Sequence, residues 1–130
     1  MAHQFSCRVY YEDTDLAGIV YYANYLKYIE RARTEWVREQ GIDQTALKQD
    51  EGIVFAVRRV EADYLIPAKF DDTLTVETRL LKDTGARFVL EQIITREADR
   101  LFAAEVTLVA LGQQGQPMRL PADIRRKFQG

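Results

Sequence analysis

Phe5, Cys7, Val9 and Tyr11 alternate with Ser6, Arg8 and Tyr10, the period of a half-buried strand. Residues 12–18 break that alternation with Asp13, Thr14, Asp15 and Gly18 and read as a polar loop. From about Tyr22 the period becomes helical. Tyr22, Leu26, Ile29, Ala32, Trp36 and Val37 fall on one stripe, with Lys27, Glu30, Arg31, Arg38 and Glu39 opposite. Gly41 is a typical stop, so the pattern predicts one long helix of roughly five turns.

From Ile53 to about Leu111 the chain reads as strands. Ile53, Phe55 and Val57 share a face, then Val60, Ala62, Tyr64 and Ile66; the phase slips at Arg58-Arg59, as a β-bulge would produce. Pro67 ends that strand. Leu74, Val76, Thr78 and Leu80 form the next alternation, and Asp83-Thr84-Gly85 turns into Phe88, Leu90, Gln92 and Ile94. A second tight turn near Asp99-Arg100 leads to Phe102, Ala104, Val106, Leu108 and Ala110. Leu101, Ala103, Val109 and Leu111 make this last strand apolar on both faces, which predicts a central position. Residues 121–128 suit a short final helix.

Such a meander predicts an antiparallel sheet of about five strands, one of them contributed ahead of the helix. Wrapped around the single apolar stripe, it gives an α+β architecture over 1–130 as one domain. The two sheet edges would be protected by pairing with a second copy.

The formal net charge of −2 lacks the basic footprint of a nucleic-acid binder. No apolar run approaches the roughly 20 residues of a membrane helix. The first residues lack the layout of a secretory signal, and the cytoplasm is the expected location. Cys7, the lone cysteine, reads as a small buried hydrophobe. The lone histidine, His3, is expected to fray with the chain start. That inventory argues against a zinc site of N/S ligands and against a histidine-based triad. Catalysis, if any, falls to carboxylates, backbone dipoles, tyrosines or bound water.

The segment from Tyr10 to Tyr25 does not read as scaffold. It carries Glu12, Asp13 and Asp15, then Gly18 and an aromatic cluster, just ahead of the helix. A helix start offers unpaired N–H groups and positive dipole, suited to a developing oxyanion. A carboxylate upstream can act as base or nucleophile, and Gly18 permits close backbone approach. The structural alternative is that Asp13 and Asp15 bind loop amides or cap the helix.

Residues 15–21 (Asp-Leu-Ala-Gly-Ile-Val-Tyr), followed by Asn24-Tyr25 and then Glu30-Arg31-Ala32-Arg33-Thr34-Glu35, resemble the signature of the 4-hydroxybenzoyl-CoA thioesterase family. More narrowly, Arg8 to Asp15, Phe55 to Arg59, Tyr64, Pro67-Ala68 and Asp71-Asp72 resemble the branch encoded with the bacterial Tol–Pal envelope system. The resemblance covers about Arg8 to Leu111. It implies a hotdog fold, dimers often paired into tetramers, sites built between subunits, and hydrolysis of acyl-CoA without metal or dissociable cofactor. Coenzyme A enters only as part of the substrate.

By the family's D-x-x-G pattern the catalytic carboxylate is Asp15 and not Asp13, and the carbonyl-polarising donor is the Tyr22 backbone N–H. Many members of that branch carry a histidine at the Tyr22 position. A backbone donor is indifferent to the exchange; a side-chain base is not, because a phenol near pKa 10 cannot replace an imidazole at neutral pH. Arg58, Arg59, Lys69 and Arg87 are candidates for the phosphates of coenzyme A, with Arg59 and Arg87 carried forward. Glu30, Arg31, Arg33 and Glu35 read as helix ion pairs. Tyr10, Tyr11, Tyr21, Tyr25 and Tyr28 suit an acyl pocket or core packing. A hotdog dehydratase and a non-catalytic acyl-CoA-binding or scaffold protein are the competing functions.

Overall fold

The computed structural model describes residues 2–129. In chain order the elements are β1 (His3–Arg8), a 3-10 turn (Tyr11–Asp13), α1 (Asn24–Glu39) and α2 (Gln44–Glu51). They are followed by β2 (Val54–Tyr64), β3 (Thr73–Asp83), β4 (Arg87–Arg96), β5 (Asp99–Leu111) and α3 (Ala122–Gln129). The strands form a single five-stranded sheet in the order β1-β3-β4-β5-β2, antiparallel at every pairing. β1 pairs with β3 at one edge, as a strand preceding the helix must.

The inner face of the sheet buries Leu74, Val76, Phe88, Leu90, Ile94, Phe102, Val106 and Leu108 beneath α1. The helix stripe differs from the expected one. α1 starts at Asn24, because the Tyr21 N–H donates to the Asp13 carbonyl (3.0 Å) and keeps the preceding chain in the loop. The buried positions are Tyr25, Tyr28, Ile29, Ala32, Trp36 and Val37, while Leu26 is 41% exposed. Gly41, at φ +84°, follows the helix as expected.

α2 was not visible in the periodicity because it buries one side chain only, Leu47. Its ends were marked all the same. Asp43 Oδ1 accepts from the Ala46 N–H (3.1 Å), and Gly52 closes it at φ +67°. The β2 register slips between Val57 and Arg59, the expected bulge, with further slips at Leu80/Lys82 and Ile94/Thr95. Arg96 pairs with Asp99, so the β4–β5 turn is Glu97-Ala98 and not Asp99-Arg100. β5 lies between β4 and β2, interior but off-centre; its second apolar face reflects the cover on Leu101. His3 is not frayed either: it opens β1, with Nε2 2.8 Å from Glu39 at the far end of α1.

Two further features close the core. Phe128 of α3 packs on Trp36, Phe55 and Phe88, with ring centroids 5.2, 5.9 and 5.0 Å away. Arg125 pairs with Asp83 at 3.2 Å and locks α3 to the β3–β4 end. Under the middle of α1, Gln92 is fully buried, and its Nε2 donates to the Ile29 carbonyl and to Thr78 Oγ1, both at 2.9 Å. Arg33 donates to Gln92 Oε1 at 2.9 Å, so it serves the core and not the expected ion pair on the helix surface. Burial pulls the Arg33 guanidinium below its ordinary range, with Glu30 acting the other way.

Burial also pushes the Cys7 thiol up to about 11, with Arg31 opposing. At pH 8 the reactive thiolate is therefore scarce in the folded protein. Iodoacetamide is expected to label Cys7 slowly in buffer and rapidly in denaturant. Equal rates by mass spectrometry would contradict the burial.

Candidate active site

The loop ahead of α1 is a small hairpin. Thr14 pairs with Val20, the Asp15 N–H donates to the Ile19 carbonyl (2.9 Å), and the Gly18 N–H donates to the Asp15 carbonyl (3.0 Å). Gly18 sits at φ +81°, a left-handed position that a side chain would strain. No atom lies within 4 Å of where its Cβ would stand. The loop approaches nothing in its own chain there.

The hairpin docks on residues 67–72. Ile19 pairs with Lys69, and the Val20 N–H donates to the Ala68 carbonyl at 2.8 Å. That segment is itself clamped. Asp72 Oδ2 accepts from the Lys69 N–H (2.8 Å) and from Arg96 (2.7 Å). Burial opposes the charge on Asp72, but these two donors prevail and hold its carboxyl below the usual range. From the other side, the Ala68 N–H donates to Tyr25 Oη at 2.9 Å.

The two aspartates have separate parts. Asp13 Oδ2 accepts from the Tyr10 N–H (2.8 Å), and its carbonyl receives the Tyr21 N–H and Asn24 Nδ2 (2.8 Å). Asp13 is a knot between the loop and α1. Asp15 is exposed. Its Oδ1 accepts from the Ala17 N–H at 2.9 Å, and its other oxygen has no partner among the described residues. The turn-forming and the chemical readings of Asp15 thus fall on different oxygens of one carboxylate.

Ala23 is the N-cap of α1 and offers no side-chain cap. Among the described residues, neither the Tyr22 nor the Ala23 N–H donates to any group. Beside them lies a mostly apolar cavity of about 170 Å³ lined by Ile19, Val20, Tyr22, Tyr25, Tyr64, Ile66 and Pro67. Tyr25 stacks on Phe102 with centroids 5.2 Å apart and belongs to the core as well as to this wall. Tyr28 is core, and burial followed by the neighbouring Asp13 carboxylate pushes its phenol up. Tyr10, Tyr11 and Tyr21 are exposed and do not line the cavity.

Asp15, Gly18 and Tyr22 therefore come together in one loop. Arg59 and Arg87 do not join them. Arg59 sits at the β2 bulge, 3.1 Å from Glu61, and Arg87 opens β4 just after the turn. Arg87 is nine residues from Arg96, the loop's anchor, or about 30 Å along the strand. The register sets Arg59 opposite Thr107 and Arg87 opposite Val109, close to each other and away from the loop. Asn24, Tyr64 and the Asp72–Arg96 clamp were not singled out by residue chemistry. Tyr64 was nonetheless on the inward row of its strand, and Asn24 at a helix start is a frequent binder of backbone.

Comparison with known proteins decides the family. The model of the thioesterase-like superfamily matches residues 9–128. The chain belongs to that superfamily. Within it, the acyl-CoA thioesterase YbgC of Haemophilus influenzae is 40% identical over 126 residues, covering 95% of this chain and 92% of that protein. The solved structure of a probable thioesterase from Bartonella henselae matches with a TM-score of 0.89 at 40% identity, over 93% of this chain and 100% of that one. At 24% identity, a 4-hydroxybenzoyl CoA thioesterase structure matches with a TM-score of 0.90 over 97% of each chain, a likeness of fold. The architecture of this superfamily member is the expected hotdog fold. No helix among its described residues is long and apolar enough to cross a membrane.

Proposed function

We propose that this thioesterase-superfamily member hydrolyses acyl-CoA to free acid and coenzyme A, with Asp15 as the reacting carboxylate and the Tyr22 N–H as the donor to the thioester carbonyl. The relatives at 40% identity are acyl-CoA thioesterases by name and match the chain nearly end to end, which supports the reaction. The assignment of Asp15 rests on one observation: its carboxylate is exposed and keeps an oxygen open, whereas the half-buried Asp13 carboxylate accepts the Tyr10 N–H and lies against the Tyr28 phenol.

In this reading the acyl group enters the cavity beside Tyr22, and the carbonyl oxygen accepts the Tyr22 N–H. One such donor is typically worth about 3 kcal/mol in the transition state. The open Asp15 oxygen takes the proton of an attacking water, or itself attacks to give a mixed anhydride that water then cleaves. Either way the C–S bond breaks and coenzyme A leaves as a thiolate. A thiolate is a good leaving group, so a strong general acid such as the missing histidine is dispensable. The reaction draws on water and needs no metal or dissociable cofactor.

The reading also takes the protein to be a cytoplasmic homodimer, capable of pairing into a tetramer. Support for pairing comes from β2, an edge strand that exposes Val54, Val57, Val60 and Tyr64. Arg59 and Arg87 remain candidates for coenzyme A phosphates only if a second copy carries them to the loop of the first.

Free-thiol release from short, medium, long and aromatic acyl-CoAs tests the reaction. Release is expected from at least one class. Folded protein that releases nothing from any of them would turn the reading to an acyl-CoA-binding or scaffold protein.

A further inference from the structure

We propose that Tyr64 is a positioning residue whose phenol holds the Tyr22–Ala23 peptide so that the Ala23 N–H becomes a second donor to the thioester carbonyl, beside the Tyr22 N–H. This inference rests on the thioesterase reading and adds to it a residue of the edge strand β2.

Tyr64 Oη donates to the Tyr22 carbonyl at 3.1 Å. The acceptor belongs to the same peptide unit as the Ala23 N–H. That N–H has no partner among the described residues, and the two residues joined by this hydrogen bond, Tyr22 and Tyr64, both line the cavity. A hydrogen bond accepted at the carbonyl end of a peptide strengthens the donor at its other end, because both belong to one polarisable dipole. The bond also fixes the rotation of that peptide, and so the direction of its N–H. Two adjacent free donors are what an oxyanion calls for.

The local sequence agrees. Alanine is among the poorest N-cap residues, and Ser, Thr, Asp or Asn at position 23 would bring a side-chain oxygen into competition for the helix-start amides. The Tyr64 ring is held edge-on by Tyr22, Tyr25 and Phe102, with centroids 6.2, 5.3 and 5.1 Å away. Burial, followed by Tyr22 and Tyr25, pushes its phenol up, so the donor proton stays in place at neutral pH.

The bulge in β2 puts this ring where it is. Ahead of the bulge Phe55 and Val57 face inward, opposite Ala110 and Leu108; beyond it Val60, Ala62 and Tyr64 do, opposite Val106, Ala104 and Phe102. Were the same sequence to pair without the bulge, the inward row would run on through odd-numbered positions and Tyr64 would face outward.

Tyr64→Phe removes one oxygen and keeps the ring. Its kcat on the best acyl-CoA is expected to fall about tenfold, with KM changed less than about twofold and Tm nearly unchanged. An unchanged kcat would overturn the proposal, and so would a kcat loss matched by a fall in Tm. The second readout does not need turnover. In Asp15→Asn protein holding an acyl-CoA labelled with 13C at the thioester carbonyl, the infrared stretch is expected at lower frequency than in Asp15→Asn/Tyr64→Phe. Equal frequencies, or no bound carbonyl in either, would overturn it. If the wild type releases no thiol, the thioesterase reading fails by itself, and the infrared comparison still decides the part played by Tyr64.

Discussion

Asp15→Asn is expected to lower acyl-CoA turnover by about 10²-fold or more, on the usual scale for a lost acid–base group, with the fold intact. The substitution is nearly silent structurally. An asparagine Oδ1 can still accept the Ala17 N–H that Asp15 Oδ1 accepts at 2.9 Å, so the turn survives. What changes is the other, open atom, which becomes an NH2 that neither accepts a proton from water nor attacks a carbonyl. Asp13→Asn is the matched control. Its side-chain bond to the Tyr10 N–H can be kept by an amide oxygen, which can also stand beside the Tyr28 phenol, and its bonds to Tyr21 and Asn24 are made by its backbone carbonyl. Its loss should stay below about tenfold, well short of the roughly 10²-fold at which removal of a working acid or base begins. Steady-state thiol release with both variants, checked by circular dichroism, separates the two. Equal losses would end the assignment of Asp15.

Gln92→Ala is expected to cost about 3 kcal/mol of stability, a fall in Tm of about 10 °C for a domain of this size. The side chain is fully buried and uses all the hydrogen bonds described for it: two given by Nε2, to Ile29 and Thr78, and one received from Arg33. Truncation strands a buried hydroxyl and, most costly, a guanidinium half-buried between α1 and the sheet, and takes from the Ile29 carbonyl the partner it has beyond its own helix. A cavity term adds to it. Thermal melts of wild type and variant check this. A loss under about 1 kcal/mol would mean that water enters and replaces the amide.

Much of the fold was legible because a five-strand meander and one long helix have distinct periods, and because the bulge shows as a phase slip at Arg58-Arg59. What escaped did so for identifiable reasons. Tyr22 is apolar enough to extend the stripe backward, but the hydrogen bond from Tyr21 to Asp13 ends the loop, not the helix, at that point. Gln92 and Thr78 stood in inward rows as polar residues among apolar ones. Their meaning lay in being cross-strand partners, a relation that one strand's alternation does not carry. Arg33 has acidic neighbours at helical spacing, and only the depth of the sheet beneath α1 turns it inward. At the candidate site, Asp15, Gly18 and the Tyr22 amide are local in sequence, within one loop, and so could be named from it. Tyr64 lies 42 residues from Tyr22, and a contact at that separation exists only once β2 is laid along the sheet edge.

The seating of α3 has a spectroscopic consequence. Trp36 is the sole tryptophan of the chain, and it sits under Phe128 at the opposite end of α1 from Tyr22, 14 residues or about 20 Å away. Its emission should therefore track undocking of the C-terminal helix and stay silent when ligand fills the cavity. The protein carries an intrinsic fluorophore for one end of its core, and a titration of the other end needs a reporter of its own.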